Sequence, residues 1–292
     1  DGLIKTYESH RVGELEWFKK QTMHRVVVMN EKIGQVAISN QPANSCLMVE
    51  IDFPDTSAVH SIITKVRNLF DVDSDPVIIA NSLEQNSRLK RALRQFPGIR
   101  LPSGWDPFEV AIATILGQLV SIDRGRTLVA DLIEIAGEQV TYSKPNSLDK
   151  RTIRLFPTAK QICEADLNAL KTTNARKQTL LAFAKAIDQG DISLEPTQDI
   201  ARFIRNALSI KGIGPWTAQY MALKALRDTD AFPSSDLILA RALEHYSPET
   251  FEFMRPWRGY AAALLWRAHG AAGADASPIK PDKKRDRSIP AS

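Results

Sequence analysis

The 292-residue sequence predicts an α+β protein: a small antiparallel-sheet N-terminal domain followed by an all-α core. Three observations predict it. Short β-branched runs with period-two alternation fill the first fifty residues. The period then changes to 3.6 near residue 54, and later apolar segments are helical in spacing, cut by Gly or Pro.

HRVVVMN (24–30), GQVAIS (34–39) and SCLMVEI (45–51) read as strands, with Val26/Val28, Val36/Ile38 and Leu47/Val49/Ile51 in alternation. Asn30-Glu31-Lys32 stands where a hairpin turn belongs. Residues 54–70 follow as a helix whose stripe is Val59, Ile62, Ile63, Val66 and Phe70. This unit, residues 1–80, is the expected first domain. Beyond it no strand is predicted. Asp106 to Ile122 reads as one helix with Phe108, Ile112, Ile115 and Leu119 on a face. Leu128–Ile135, Ala165–Leu170, Lys177–Ile187, Ile200–Leu208, Thr217–Leu226, Leu237–His245 and Gly259–His269 continue the pattern. They make a helical core over 81–274. The polar, basic segment 275–292 is predicted to be disordered.

Hydrophobic residues at 43% and charged residues at 25% describe a soluble globular chain. The net charge of +4 leans toward an anionic partner without deciding for one. Two cysteines, Cys46 and Cys163, allow neither a disulfide framework nor a four-cysteine cluster, which fits a reducing cytosol. The five histidines (His10, His24, His60, His245, His269) lack metal spacing. No apolar run approaches the roughly 18 residues of a membrane span. The start at Asp1, without a methionine, suggests one part of a longer polypeptide.

One stretch carries chemistry. In LSIKGIGPWTAQY (208–220) two glycines precede a proline that opens an apolar helix. Gly212 suits a left-handed helix C-cap, and Pro215 suits a first helical turn. The third glycine of a dinucleotide fingerprint is absent, since Thr217 stands there, and so is the Gly-Lys-Ser/Thr of a P-loop. A plain interhelical turn fits this pattern. So does an anion seat, in which amides of Gly212, Gly214 and residues near Thr217 converge on a phosphate. Twenty residues after Trp216 comes AFPSSDLILARAL, with Asp236 at the mouth of an apolar helix. Alone, Asp236 reads as an N-cap.

Together, LSIKGIGPWTAQYMAL and FPSSDLILARAL resemble the helix-hairpin-helix, Gly/Pro-rich, aspartate superfamily of DNA base-excision glycosylases, and within it the bacterial type II 3-methyladenine branch. FPGIRLPSGWDPFEVAIATILGQLVSI (96–122), FPTAKQICEADLNALK (156–171) and RPWRGYAAALLW (255–266) are similar to family segments, so the likeness covers most of the chain. It implies two helical lobes around a cleft: a hairpin lobe over 105–228, and a second lobe from 81–104 and 229–274. It also implies a monofunctional N-glycosylase of base-excision repair that flips alkylated bases such as 3-methyladenine and 7-methylguanine out of duplex DNA. Asp236 would be the catalytic carboxylate, Trp216, Tyr220 and Trp266 the base pocket, and Gly212, Gly214 and Thr217 the DNA contacts of the hairpin.

The resemblance gives Leu119 as the wedge that fills the gap in the duplex, whereas periodicity puts Leu119 on the apolar stripe of Phe108 and Ile112. It also implies a monovalent cation on the carbonyls of Leu208, Ile210 and Ile213, no iron–sulfur cluster, and a monomer acting in the bacterial cytosol. Related chains sometimes sit behind a methyl-accepting regulatory module. Strand-cleaving members carry a lysine two residues past the second hairpin glycine. Trp216 occupies that position, so no Schiff base can form there. Two departures stand out: Pro215 replaces a basic side chain, and Leu237 replaces an aromatic after the aspartate. Two alternatives stay open, a catalytically silent DNA-binding module and a bifunctional glycosylase/lyase.

Overall fold

Alternating β-branched residues early in the chain form a four-stranded antiparallel sheet in the order β1-β2-β3-β4. Its strands are β1 (Glu16–Lys19), β2 (Thr22–Met29), β3 (Lys32–Gln41) and β4 (Cys46–Asp52). A computed structural model of the protein describes residues 2–85, 87–143, 150–242 and 252–272. The β2–β3 turn is Asn30-Glu31, with φ of 50° and 61°, and Lys20-Gln21 repeats those values between β1 and β2. Two left-handed central residues match the twist of the flanking strands.

Met23, Val27, Val36 and Ile38 are buried against helix α2 (Val59–Phe70) and Tyr7 of α1 (Gly2–Ser9). On the opposite face Val26 joins the core of the helical part together with Leu15. Both α1 and β1 are additions to the sequence reading. Two assigned core residues are corrected: Val28 is 43% and Ile63 41% exposed. Val28 lies beside the turn on an uncovered part of its face. Ile63 falls outside the stripe of Ile62, Val66, Leu69 and Phe70.

The helical part comprises α3 (Pro76–Leu83), α4 (Ser87–Gln95), α5 (Pro107–Leu116), α6 (Ile122–Ala136), α7 (Ala159–Glu164), α8 (Asn174–Asp188), α9 (Ile200–Leu208), α10 (Pro215–Lys224), α11 (Leu237–Ala242) and α12 (Arg258–Ala272). Side chains cap many of them: Asp75, Asp106, Ser121, Thr173 and Asp199 accept first-turn N–H groups, and Thr158 with Gln161 forms a capping box. α5 lies at the centre, packed on α6, α8 and α10, while α12 packs on α4 and α11.

Three expectations are corrected. Asp106 to Ile122 is not one helix: α5 stops at Leu116, and Ser121 caps the new helix α6. The break lets the two helices cross closely, since a Cβ on Gly125 would lie 3.3 Å from the Gly117 Cα. Strands do occur after residue 80, as the antiparallel pair β5 (Gln139–Ser143) and β6 (Lys150–Arg154). This hairpin buries Tyr142 and Ile153, and the Arg151 guanidinium sits 4.4 Å from the Trp17 ring centre. Finally, Ala165–Leu170 contains only a 3₁₀ turn at Leu167–Ala169. The segment 275–292, and the end of the Leu237–His245 helix with His245 itself, lie outside the described residues. Among the described residues no helix is long and apolar enough to cross a membrane.

A buried ion cluster joins the sheet to the helices. Arg25 on β2 is 2% exposed and donates to Glu16 on β1 and, through Nη2 at 2.6 and 2.7 Å, to both oxygens of Glu109 on α5. Its guanidinium also lies 5.3 Å from the Trp105 ring centre. Burial pushes the Glu109 carboxyl up, against the pull of Arg25. Removing the cation alone strands two buried carboxylates. Arg25→Met is therefore expected to lose about 3–5 kcal/mol of stability, read by denaturant unfolding. A loss below about 1 kcal/mol, the range of an exposed pair, would refute the coupling.

Candidate functional site

The sequence 200–224 folds as helix, glycine turn, helix. Gly212 has φ +96°, and a Cβ there would lie 2.0 Å from Thr179 Oγ1, so glycine is required twice over. Gly214 is the N-cap of α10 and provides no side-chain cap, while Pro215 takes the first helical position. The first-turn N–H groups of α10 consequently have neither an intrahelical acceptor nor a cap, the condition for an anion seat. Thr217 is 4% exposed and its hydroxyl accepts from Gln118 Nε2 at 2.9 Å, so the side chain is turned into the protein.

The turn is held from behind. Gln118 Nε2 also donates to the Gly212 carbonyl at 3.0 Å, and Thr179 Oγ1 donates to that of Lys211 at 2.9 Å. Ile213 N–H donates to the Ile210 carbonyl at 3.0 Å. Of the three residues suggested for a cation, Leu208 is 42% exposed, whereas Ile210 and Ile213 are buried at 9% and 5%.

Leu119 is not on the buried stripe with Phe108 and Ile112. It lies in the turn between α5 and α6, at φ +55°, and is 91% exposed. An apolar side chain in a left-handed position with no packing is expensive, and two contacts hold it there. Gln118, the preceding residue, is bonded through its side chain to the hairpin and through its carbonyl to Arg176 Nη2. Gln118 thus ties the turn that carries the wedge candidate to the hairpin.

Asp236 collects the remaining candidates. Its Oδ1 accepts from the Trp266 indole at 3.0 Å and from the N–H groups of Ile238 and Leu239 at 3.0 and 3.1 Å. Its Oδ2 accepts from the Trp216 indole at 3.0 Å. The aspartate is therefore an N-cap and the meeting point of two indoles at once. Trp216 and Tyr220 share a face of α10, with ring centres 4.9 Å apart and planes 18° from parallel. Trp266 on α12 is tilted by 54° to Tyr220 at 5.9 Å. All four side chains are half-buried. Burial, and secondarily Asp236, push the Tyr220 phenol up to about 12, so it stays neutral.

The Trp216–Tyr220 face walls a cavity of about 360 Å³, within the range of ligand pockets. Tyr7, Trp105, Val110 and Ile122 form much of the remaining wall, so the N-terminal helix contributes to it. Lys224, one turn beyond Tyr220, lines its far end. Its ammonium donates to the Pro102 carbonyl at 2.9 Å, and burial lowers its pKa to about 8.

The loop carrying Asp236 is anchored to α12. Arg258 donates to both oxygens of Asp230 at 2.8 Å, and Gly259 N–H reaches the Thr229 carbonyl at 2.7 Å. Gln219 on α10 accepts from Phe232 N–H at 3.0 Å. Sequence reasoning missed Gln118, Arg176, Thr179, Gln219 and Asp230. Their partners are distant in sequence, and nothing local signals them.

Known proteins resemble this chain in sequence and in fold. Residues 1–106 match the family described as the AlkA N-terminal domain. A "Probable bifunctional transcriptional activator/DNA repair enzyme AlkA" of Mycobacterium tuberculosis is 31% identical over 246 residues, covering 80% of this chain and 47% of that protein. The chain thus spans about half the length of the first curated relatives it matches. DNA-3-methyladenine glycosylase 2 of Escherichia coli is 28% identical over 266 residues, covering 89% of this chain and 90% of that one. Among solved structures, a 3-methyladenine DNA-glycosylase from Archaeoglobus fulgidus superposes with a TM-score of 0.72 at 18% identity, over 90% of this chain and 92% of that chain. An AlkA-type N-terminal domain, the Gly/Pro hairpin and the aspartate after it occur here in one chain, and the relatives it resembles in sequence and in fold are named 3-methyladenine DNA glycosylases.

Proposed function

We propose that the chain is a monofunctional DNA N-glycosylase that removes alkylated purines from duplex DNA and leaves an abasic site. The observation that carries this reading is the Asp236 carboxylate, fixed between the indoles of Trp216 and Trp266, the first of which also walls the aromatic-lined cavity. Duplex DNA is the partner, and the cytosol is the expected setting.

Methylation at a ring nitrogen makes a purine cationic and weakens its glycosidic bond. The protein's task is then extraction, which costs a few kcal/mol. Stacking on an aromatic ring gives about 1–3 kcal/mol, and a cation over a ring about 0.5–2 more. Trp216 and Tyr220 supply such faces, and Leu119 would fill the vacated stack. Only the cationic increment separates damaged from normal purines, so selectivity is modest and the substrate range broad.

As the bond breaks, the sugar becomes an oxocarbenium cation. Three N–H donors saturate Oδ1 of Asp236, and a single indole bonds Oδ2, so Oδ2 is the oxygen left to face the sugar. A carboxylate so preorganised stabilises developing positive charge without reorganising. Held by four donors, it suits this role better than proton abstraction.

Lys224 raises the question of a lyase, because a buried amine near pKa 8 is a competent nucleophile. It lies eight residues along α10 from Trp216, about 12 Å at the rise of a helix. Its ammonium is also directed to the Pro102 carbonyl, and both observations favour the monofunctional reading. An alkali cation on the carbonyls of Leu208, Ile210 and Ile213 would meet an oxygen-only donor set, with one Ile210 lone pair already given to Ile213. It would orient a phosphate and take no part in bond cleavage.

Asp236→Asn should keep duplex affinity while single-turnover release of 3-methyladenine falls by about 100–1000-fold. Near-normal release by a folded variant would contradict the assignment. Leu119→Ala should weaken binding to an abasic-site duplex while shifting stability by less than about 0.5 kcal/mol, since the side chain is exposed. A large loss of melting temperature with unchanged binding would return Leu119 to a structural role.

A further inference from the structure

Beside the Leu119 turn, four basic side chains rim an open recess of about 550 Å³: Arg124 in the first turn of α6, Lys171, and Arg176 and Lys177 in the first turn of α8. The structure gives three of them neutral acceptors. Arg124 donates to the Lys171 carbonyl, Arg176 to the Gln118 carbonyl and to Thr172 Oγ1 at 2.7 Å, and Lys177 to the Asn168 carbonyl at 3.1 Å. Among the described residues none of the four forms an ion pair. Asp123 pairs with Arg126 at 3.2 Å instead, and Asp166 accepts the Asn168 N–H at 2.9 Å. Burial, and then the charge of Arg124, lower the Arg176 pKa.

Two guanidiniums are thus held close together by carbonyls, with no internal counter-charge. Folding gains little from that like-charge contact, while an anion entering the recess relieves it. The position is specific too. Arg176 grips the residue before Leu119, and Thr179, three residues on, holds the hairpin carbonyl of Lys211. The recess therefore adjoins both the exposed leucine and the hairpin glycines.

The geometry points to a second phosphate seat, separate from the hairpin amides, in which Arg124, Lys171, Arg176 and Lys177 hold a backbone phosphate of the duplex next to the Leu119 turn. This rests on the reading that the chain binds DNA. A guanidinium fork matches two phosphate oxygens, and the ammoniums add point charge. The contact registers the duplex against the leucine and carries no base information.

The test is the salt dependence of binding, from 50 to 200 mM, to a fluorescent duplex containing a tetrahydrofuran abasic analogue. Each phosphate contact contributes about 0.9 to the slope of log K against log salt. Arg124→Gln with Lys177→Gln should lower the slope by about 0.9, the share of one phosphate, and Arg124→Lys with Lys177→Arg should restore it. Arg124 also tethers the Lys171 carbonyl, so Lys171→Gln with Lys177→Gln, which leaves that tether intact, serves as the second variant and should show the same fall. An unchanged slope in both glutamine variants overturns the seat, as does an equal fall in the charge-conserving pair. Base release is measured on the unaltered chain alone. If free base appears while the slopes stay put, the seat fails and the glycosylase reading survives. If the slopes fall but no base appears, the reverse holds. If the unaltered chain does not bind the duplex, both fail.

Discussion

The structure depends on one carboxylate with more donors than a cap needs. An N-cap aspartate requires one or two backbone N–H groups. Asp236 has those, and indole donors from α10 and α12 as well. An indole N–H can only donate, so each tryptophan has its ring direction set by the same acid. The cap and the candidate catalytic group are therefore one residue in one geometry, and the choice between them posed by the sequence does not arise. Asp236→Asn would break this node while nearly preserving its shape.

What surrounds the node keeps it stationary. Asp230 and Arg258 clamp the loop before Asp236 to α12, and Gln219 ties that loop to the aromatic helix. On the far side Gln118 joins the exposed leucine to the glycine hairpin. The groups proposed to touch a nucleotide are thereby tied to one another by hydrogen bonds, the arrangement that preorganised electrostatics requires. The Arg25 cluster extends the rigidity to the N-terminal sheet, whose first helix closes part of the cavity wall.

Much of this was legible in sequence where the signal is local. Gly212 and Pro215 announce the hairpin because a positive φ and a missing N–H restrict which residues fit. Helix α9 follows its apolar period from Ile200 to Leu208. Legibility fails where tertiary structure overrides the period. Leu119 continues the spacing of Phe108 and Ile112, yet the helix ends at Gly117 so that α5 and α6 can cross, and the leucine is thrown outward. The β5–β6 pair was missed because its polar and charged residues hide an alternation that becomes visible only when Tyr142 and Ile153 meet the core. Gln118 and Gln219 carry no local signature at all, since their function lies in which distant partner they reach. Trp216 and Trp266 became pocket candidates only through family resemblance, because an aromatic on a helix face is equally suited to a core; of the two, Trp216 lines the cavity.

The most direct test is to incubate the chain with duplex DNA methylated at purine nitrogens, separate the free bases by chromatography, and examine the strands before and after alkali. The account predicts free 3-methyladenine, strands intact until alkali cleaves them at the new abasic sites, and no borohydride-trapped protein–DNA adduct. Tight duplex binding without any free base, or an adduct trapped on Lys224, would contradict it.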